Sequence, residues 1–155
     1  IRLPKERRMI RVSVCLPLYN GLPYLKEQIH SILEQLGPND EVVISDDGST
    51  DGSGAWLTSL NDPRIHLLTG LPARHPSYNL EKALYAAKGE FILLADQDDL
   101  WLPGKVDQML EALQHHTLVV HDCSVTDERL HIKVPSFMAD HGSGPGFWKN
   151  FTKNS

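Results

Sequence analysis

The sequence lacks long apolar runs and has little cysteine. No apolar run approaches the roughly 18 residues that a membrane-spanning helix needs, and no apolar segment follows the basic start at 1–10. The two cysteines, Cys15 and Cys123, follow no metal-ligand spacing, so both are interpreted as small buried hydrophobic residues rather than as a disulfide. These absences predict a soluble protein of the cytosol.

An excess of basic residues is also missing. Fifteen Lys and Arg stand against twenty Asp and Glu, a formal charge of −5, which argues against a general nucleic-acid binder. Neither glycine-rich phosphate loop, G-x-x-x-x-G-K-[ST] or G-x-G-x-x-G, occurs. A protein of this sequence that binds phosphates must therefore hold them in another way.

What the sequence does contain is a regular alternation of strand and helix patterns. With 41% hydrophobic and 23% charged residues, the composition suits a globular core of ordinary size. Alternation of this kind predicts an α/β fold with a mostly parallel sheet and helices on both faces. The predicted strands are 10–16, 41–45, 65–68, 91–95 and 118–121, and the predicted helices begin near Pro23, Gly52, Tyr78 and Pro103.

The alternation stops after Cys123. The segment that follows predicts a short hairpin around Asp127 and Glu128, and then a tail rich in glycine and polar residues. We therefore divide the chain into an N-terminal extension, 1–9, a core, 10–123, and a further region, 124–155.

Polar residues cluster directly after three of the predicted strands. They are PLYNG at 17–21, DDGSTDG at 46–52 and DQDD at 96–99. Each cluster has an ordinary interpretation, because turns and helix caps use the same residue types. In open parallel sheets, however, ligands bind at the carboxyl ends of the strands, so all three clusters are also candidates for one site.

The carboxylates favour a cation at that site. Asp96, Asp98 and Asp99 lie within four residues and would repel one another unless a positive charge is present. Mg²⁺ and Mn²⁺ prefer oxygen ligands and usually take one or two from the protein. Asp96 and Asp98 would hold such a metal, which would then neutralise the phosphates of a nucleotide.

Several ordered motifs together resemble a known family. They are P-x-Y-N at 17–20, D-D-G-S-T-D at 46–51, the Asn-led helix at Asn79, and AKGEFILLADQDDLWLPGKVDQM at 87–109. This order resembles the family 2 glycosyltransferases, which have the Rossmann-like GT-A fold, and among them the rhamnosyltransferase-type members. The resemblance covers about 11–120.

The resemblance implies a nucleotide-binding role for residues after the first two strands. Tyr19 would stack on the base, and Pro17 and Asn20 would shape the same pocket. Asp47 would accept a hydrogen bond from the ring imide of uracil or thymine, with Asp46 supporting its loop.

It implies further roles later in the chain. Asn79 would lie near the nucleotide, Asp96 near the ribose, and Asp98 would be the more direct ligand of the metal, Mg²⁺ or Mn²⁺. Transfer would invert the anomeric carbon, with the catalytic base in a motif after Ser155, so no catalytic residue is expected in this chain. The sequence is interpreted as a truncated enzyme that is inactive alone.

The implied partners are a UDP- or dTDP-linked sugar and a saccharide or lipid-linked acceptor of cell-surface polysaccharide synthesis. The core would bind the nucleotide sugar and 124–155 would begin the acceptor side. The expected location is the cytoplasm, including the inner face of the membrane. Two alternatives stay open. One is a non-catalytic nucleotide-sugar-binding fragment, and the other is a Mg²⁺-binding receiver-type signalling domain, although the third strand lacks the acid that a receiver requires.

Overall fold

The computed structural model describes residues 10–72 and 74–142, which divide into two compact units at His115 and His116. The predicted extension, 1–9, and the end of the predicted acceptor-side region, 143–155, lie outside the described residues. The first unit contains β1 Val12–Leu18, α1 Leu22–Leu33, β2 Glu41–Asp46, α2 Ser53–Ser59, β3 Ile65–Leu68, α3 Pro76–Ala86, β4 Phe91–Leu94 and α4 Lys105–Leu113. The second contains β5 Val125–Thr126, β6 Ile132–Val134 and α5 Phe137–Asp140.

The first unit is a parallel sheet with the strand order β3-β2-β1-β4. The predicted α/β fold with helices on both faces is therefore confirmed. Because β1 lies between β2 and β4, the chain changes direction across the sheet at β1, and Leu18 pairs with Asp46 at the carboxyl end. Such a reversal opens a crevice where ligands bind in open α/β sheets.

The core occupies both faces of β1. Val12, Val14, Leu16 and Leu18 are fully buried in one cluster with residues of α1, α2 and α4. Cys15 points the other way, into a cluster with α3, and burial raises the pKa of its thiol to about 11. A strand covered on both faces is apolar throughout, which is why β1 has little alternation.

Helix α1 packs through Leu25, Ile29 and Ile32, which are fully buried at helical spacing. Its end is held by Arg64, whose guanidinium donates to the carbonyls of Leu33 at 2.9 Å and Leu36 at 2.8 Å. These bonds satisfy carbonyls that a helix end leaves without partners.

Two predictions about the end of the core are wrong. Residues 118–121 form no strand among the described residues, and Leu118 and Val120 are 80% and 69% exposed. The apolar composition suggested a buried strand, but a strand also needs a neighbour, and β4 is the edge of the sheet that the structure describes. Cys123 is exposed rather than buried, although both cysteines are free as predicted.

The second unit contains the predicted hairpin. Strands β5 and β6 pair antiparallel, and the Asp127 carboxylate accepts the backbone N–H groups of Arg129 and His131 in the turn. Neither unit, over its described residues, has a helix of the length and apolar character that crossing a bilayer demands.

Candidate functional site

A cleft of about 670 Å³ opens at the carboxyl ends of β1, β2 and β4, next to the start of α3. Six residues predicted from the sequence line it together: Pro17, Tyr19, Asp47, Asn79, Asp96 and Asp98. Asn20 and Asp46, which were also predicted to bind the nucleotide, are not among the lining residues. The three polar clusters of the sequence therefore meet at one place.

Asn20 and Asp46 organise the loops behind the cleft. Asn20 has a left-handed backbone, with φ of 48°, and its side-chain oxygen accepts the N–H of Thr50 at 2.8 Å. Asp46 accepts the N–H of Ser49 at 2.9 Å, and the Ser49 hydroxyl accepts the N–H of Asn20. These bonds tie the loop after β1 to the loop after β2.

Tyr19 and Asp47 present their side chains at the cleft. Tyr19 is 58% exposed, so its ring is accessible to a ligand. The Asp47 N–H donates to the carbonyl of Leu18, and its carboxylate accepts the N–H of Arg74 at 2.9 Å. A carboxylate has about four acceptor positions, so Asp47 can accept a ligand N–H in addition to the contacts that it makes within the protein.

Asn79 is 3% exposed and its amide joins three elements. Its side-chain oxygen accepts the hydroxyl of Ser45 at 2.6 Å, and its nitrogen donates to the carbonyl of Leu18 at 3.2 Å. Buried amides are held in this way because an unpaired polar group would be costly. Asn79 therefore fixes α3 against the ends of β1 and β2.

The carboxylates after β4 are crowded. Burial, and the nearby charges of Asp99 and Asp98, raise the pKa of Asp96 above its ordinary value. Asp96 and Asp98 both line the cleft, whereas Asp99 does not. No group of three or more metal-ligating side chains occurs within 10–72 and 74–142. Two hard oxygen donors with unbalanced charge fit a Mg²⁺ or Mn²⁺ ion that takes its other ligands from phosphate and water.

A row of polar side chains, two on α1 and one just after its end, holds this acidic loop in place. Gln28 is fully buried and donates to the carbonyl of Asp96 at 3.0 Å. The Ser31 hydroxyl accepts the N–H of Trp101 at 3.1 Å, and Gln35 accepts the N–H of Val106 at 3.3 Å. The row therefore anchors both ends of the loop and the first turn of α4.

The family follows from a comparison with known sequences. The sequence model described as "Glycosyl transferase family 2" matches residues 13–138, which is most of the chain and includes the whole cleft. The chain belongs to glycosyltransferase family 2.

Individual family members agree with this assignment. The chain is 31% identical over 131 residues to a putative teichuronic acid biosynthesis glycosyltransferase, TuaG, of Bacillus subtilis, covering 77% of this chain and 52% of TuaG. It is 32% identical over 102 residues to WfgD of Escherichia coli, a UDP-Glc:alpha-D-GlcNAc-diphosphoundecaprenol beta-1,3-glucosyltransferase, covering 66% of this chain and 40% of WfgD.

The solved structure of a similar protein has the same fold. The mannosyltransferase PcManGT of Pyrobaculum calidifontis, in complex with GDP-Man and Mn²⁺, superposes with a TM-score of 0.63 at 30% identity, over 77% of this chain and 36% of that one. The fold is therefore that of the GT-A glycosyltransferases. The chain spans about half, or less, of the length of these relatives.

The family assignment removes the receiver-domain alternative, and the structure adds residues that the sequence did not reveal. Gln97, Arg74 and His75 line the cleft, and Gln28 supports it from behind. Gln97 was visible as the middle residue of the DQD motif, and Gln28 as a polar residue on the apolar side of α1. Their partners are 68 or more residues away, so no local pattern reveals them.

Proposed function

We propose that this chain binds the nucleoside-diphosphate sugar of an inverting glycosyl transfer, with uridine or thymidine as the nucleoside. The observation that carries the proposal is that an exposed aromatic residue, Tyr19, and three carboxylates, those of Asp47, Asp96 and Asp98, line one cleft. An aromatic ring can stack on a base, a carboxylate can accept a hydrogen bond from the imide of that base, and a metal can neutralise a diphosphate.

At the nucleoside end, Tyr19 stacks on the base and Asp47 accepts its imide N–H. A carboxylate accepts a hydrogen bond from the protonated ring nitrogen of uracil or thymine, which cytosine lacks. Asn79 and Pro17 form the wall, and Asp96 lies near the ribose. The donor in the name of WfgD, UDP-Glc, supports uridine, whereas GDP-Man in PcManGT makes guanosine the competitor to test.

At the phosphate end, Asp96 and Asp98 hold Mg²⁺ or Mn²⁺. The Mn²⁺ in PcManGT and the crowded carboxylates of this chain support the assignment. When bound, the ion neutralises the diphosphate and makes it a better leaving group. Without it, Asp96, Asp98 and Asp99 would repel the phosphates.

The proposed reaction is attack of an acceptor hydroxyl on the anomeric carbon from the face opposite the nucleotide, as in rhamnosyltransferase-type members. The acceptor is a saccharide or a lipid-linked saccharide of a cell-surface polysaccharide, as the names of TuaG and WfgD suggest. We assign donor binding to 10–123, acceptor contacts to 124–155, and the location to the cytoplasm, including the inner face of the membrane. None of the cleft residues is assigned as the base, so the 155 residues alone would bind the donor without transferring the sugar.

A matched pair of substitutions tests the metal assignment. Asp98→Asn removes a ligand, so we expect Mn²⁺-dependent UDP affinity, measured by calorimetry, to fall about tenfold or more, in the range typical of altered metal sites. Asp99→Asn removes the same charge from a residue outside the cleft lining and should change the affinity much less. Equal effects of the two substitutions would contradict the role of Asp98 as a ligand.

A further inference from the structure

Gln97 joins two loops that are 78 residues apart in the sequence. Its side-chain oxygen accepts the backbone N–H of Tyr19 at 2.9 Å, and its nitrogen donates to the carbonyl of Tyr19 at 3.2 Å. The side-chain amide of Gln97 thus bonds to both the N–H and the carbonyl of Tyr19, as a residue of a neighbouring strand would. Gln97 also lies between Asp96 and Asp98 and lines the cleft itself.

The space that Gln97 occupies depends on Gly21. A Cβ added to Gly21 would lie 2.7 Å from the side-chain oxygen of Gln97 and 2.8 Å from its amide carbon. The φ of Gly21 is −99°, which any residue can adopt, so its conformation does not require glycine. The missing side chain leaves room at this position for the amide of Gln97, and also for the side chain of Leu18, whose Cδ1 would lie 3.1 Å from the added Cβ.

The charges on either side of Gln97 are a reason to expect that a cation affects this contact. Asp96 and Asp98 flank it and Asp99 follows, so like charges oppose the compact form of the loop. Gln28 holds the carbonyl of Asp96, so the part of the loop that is expected to move when the charges change is the part that contains Gln97. A divalent ion bound by the two carboxylates would remove this repulsion and so favour the conformation in which Gln97 bonds to the backbone of Tyr19.

We infer that Gln97 is a positioning residue that couples the metal end of the cleft to the nucleoside end. A divalent cation and a nucleoside then strengthen each other's binding through the protein, even when the nucleoside carries no phosphate to touch the metal. The inference rests on the proposed function and adds to it a link between the two halves of the site. Coupling of this kind is reciprocal, because both ligands favour the same conformation.

The test uses uridine, which has no phosphate, titrated by NMR with and without saturating Mg²⁺. For the wild-type chain we expect Mg²⁺ to tighten uridine binding about fivefold or more, the lower end of typical coupling. Gln97→Ala removes both hydrogen bonds and Gly21→Ala displaces the amide, so each should bring this ratio close to one. In the Gln97→Ala background, Gly21→Ala should cause no further change in this ratio, because both act on the contact between Gln97 and Tyr19. The effect of Gly21→Ala on the packing of Leu18 is measured separately, as a change in Tm.

Two control substitutions make the same chemical changes, Gly to Ala and Gln to Ala, at positions away from the contact between Gln97 and Tyr19. An added Cβ at Gly70 meets no heavy atom of the described residues within 4 Å, and Gln114 is exposed at the end of α4. Gly70→Ala and Gln114→Ala should keep the wild-type ratio. A melting curve for each variant separates the two effects, because a purely structural role would lower Tm and leave the ratio unchanged.

The outcomes separate this inference from the proposed function. A Gln97→Ala chain that is folded and keeps the Mg²⁺ effect on uridine would overturn the inference. So would a wild-type chain that binds UDP with Mg²⁺ but binds uridine equally well with and without it, and in that case the proposed function stands. Failure of the wild-type chain to bind either UDP or uridine would overturn both.

Discussion

At the scale of single residues, two aspartates of the same short motif make different contacts. In D-D-G-S-T-D, Asp47 faces the cleft, whereas Asp51 accepts the N–H of Leu22 at 2.8 Å and both the N–H and the hydroxyl of Ser53. Asp51 thus satisfies N–H groups at the starts of α1 and α2. The sequence suggested both capping and binding for this motif. In the structure Asp51 makes the contacts at the helix starts, and Asp47 lines the cleft where binding is proposed.

The contacts of Asp51 therefore predict that the stability of the fold depends on pH. The Ser53 hydroxyl, with the N–H of Leu22, holds the pKa of Asp51 below its ordinary value of 3.8. Because the folded-state pKa is depressed, the ionised carboxylate stabilises the fold above pH 3.8, and this contribution is lost as the pH falls through the lower folded value.

We expect Asp51→Asn to lower Tm at neutral pH and the difference from wild type to shrink as the pH falls below about 4. Thermal melts at several pH values measure this, with the exposed Glu128→Gln as a control for charge. A difference that is constant from neutral to acid pH would show that the ionised form has no special role.

At the scale of elements, α1 shows what hydrophobic periodicity reveals and what it hides. Leu25, Ile29 and Ile32 predict the buried face of the helix, and the structure confirms it. Gln28 and Ser31 lie on that face too, but periodicity treats them as interruptions. Their function depends on the backbone of the β4–α4 loop, which only the tertiary structure brings to α1.

Gln28→Met tests the structural link between α1 and the acidic loop. Methionine keeps the approximate volume but removes the donor to the Asp96 carbonyl, so we expect a loss of about 1 to 3 kcal/mol in the free energy of unfolding. Urea unfolding measures the loss, and Glu27→Met, on the exposed side of the same helix, is the matched control. An unchanged free energy for Gln28→Met would mean that the loop is held by other contacts.

At the scale of the whole molecule, the sequence predicted where the four strands of the parallel sheet end to within two residues, but not which strands are neighbours. The first strand was predicted to end at residue 16, whereas β1 continues to Leu18, so Pro17 lies in the strand. Alternating elements and right-handed crossovers predicted a parallel sheet, and the placement of polar residues after strands predicted six of the residues that line the cleft. The order β3-β2-β1-β4, which brings the loop after β2 and the loop after β4 to either side of β1, came from the structure. The predicted strand at 118–121 failed for the same reason, since pairing partners are not local information.

The most direct test of the account is the effect of nucleotide and metal together on Tm. We predict that UDP or dTDP at about a hundred times Kd, with Mn²⁺ or Mg²⁺, raises the Tm of the chain by roughly 5 to 10 °C. In a chelator the same nucleotides should raise it much less, because the carboxylates of Asp96 and Asp98 would then repel the diphosphate. GDP serves as the comparison for the base. Equal stabilisation with and without the metal, or none in either condition, would contradict the account.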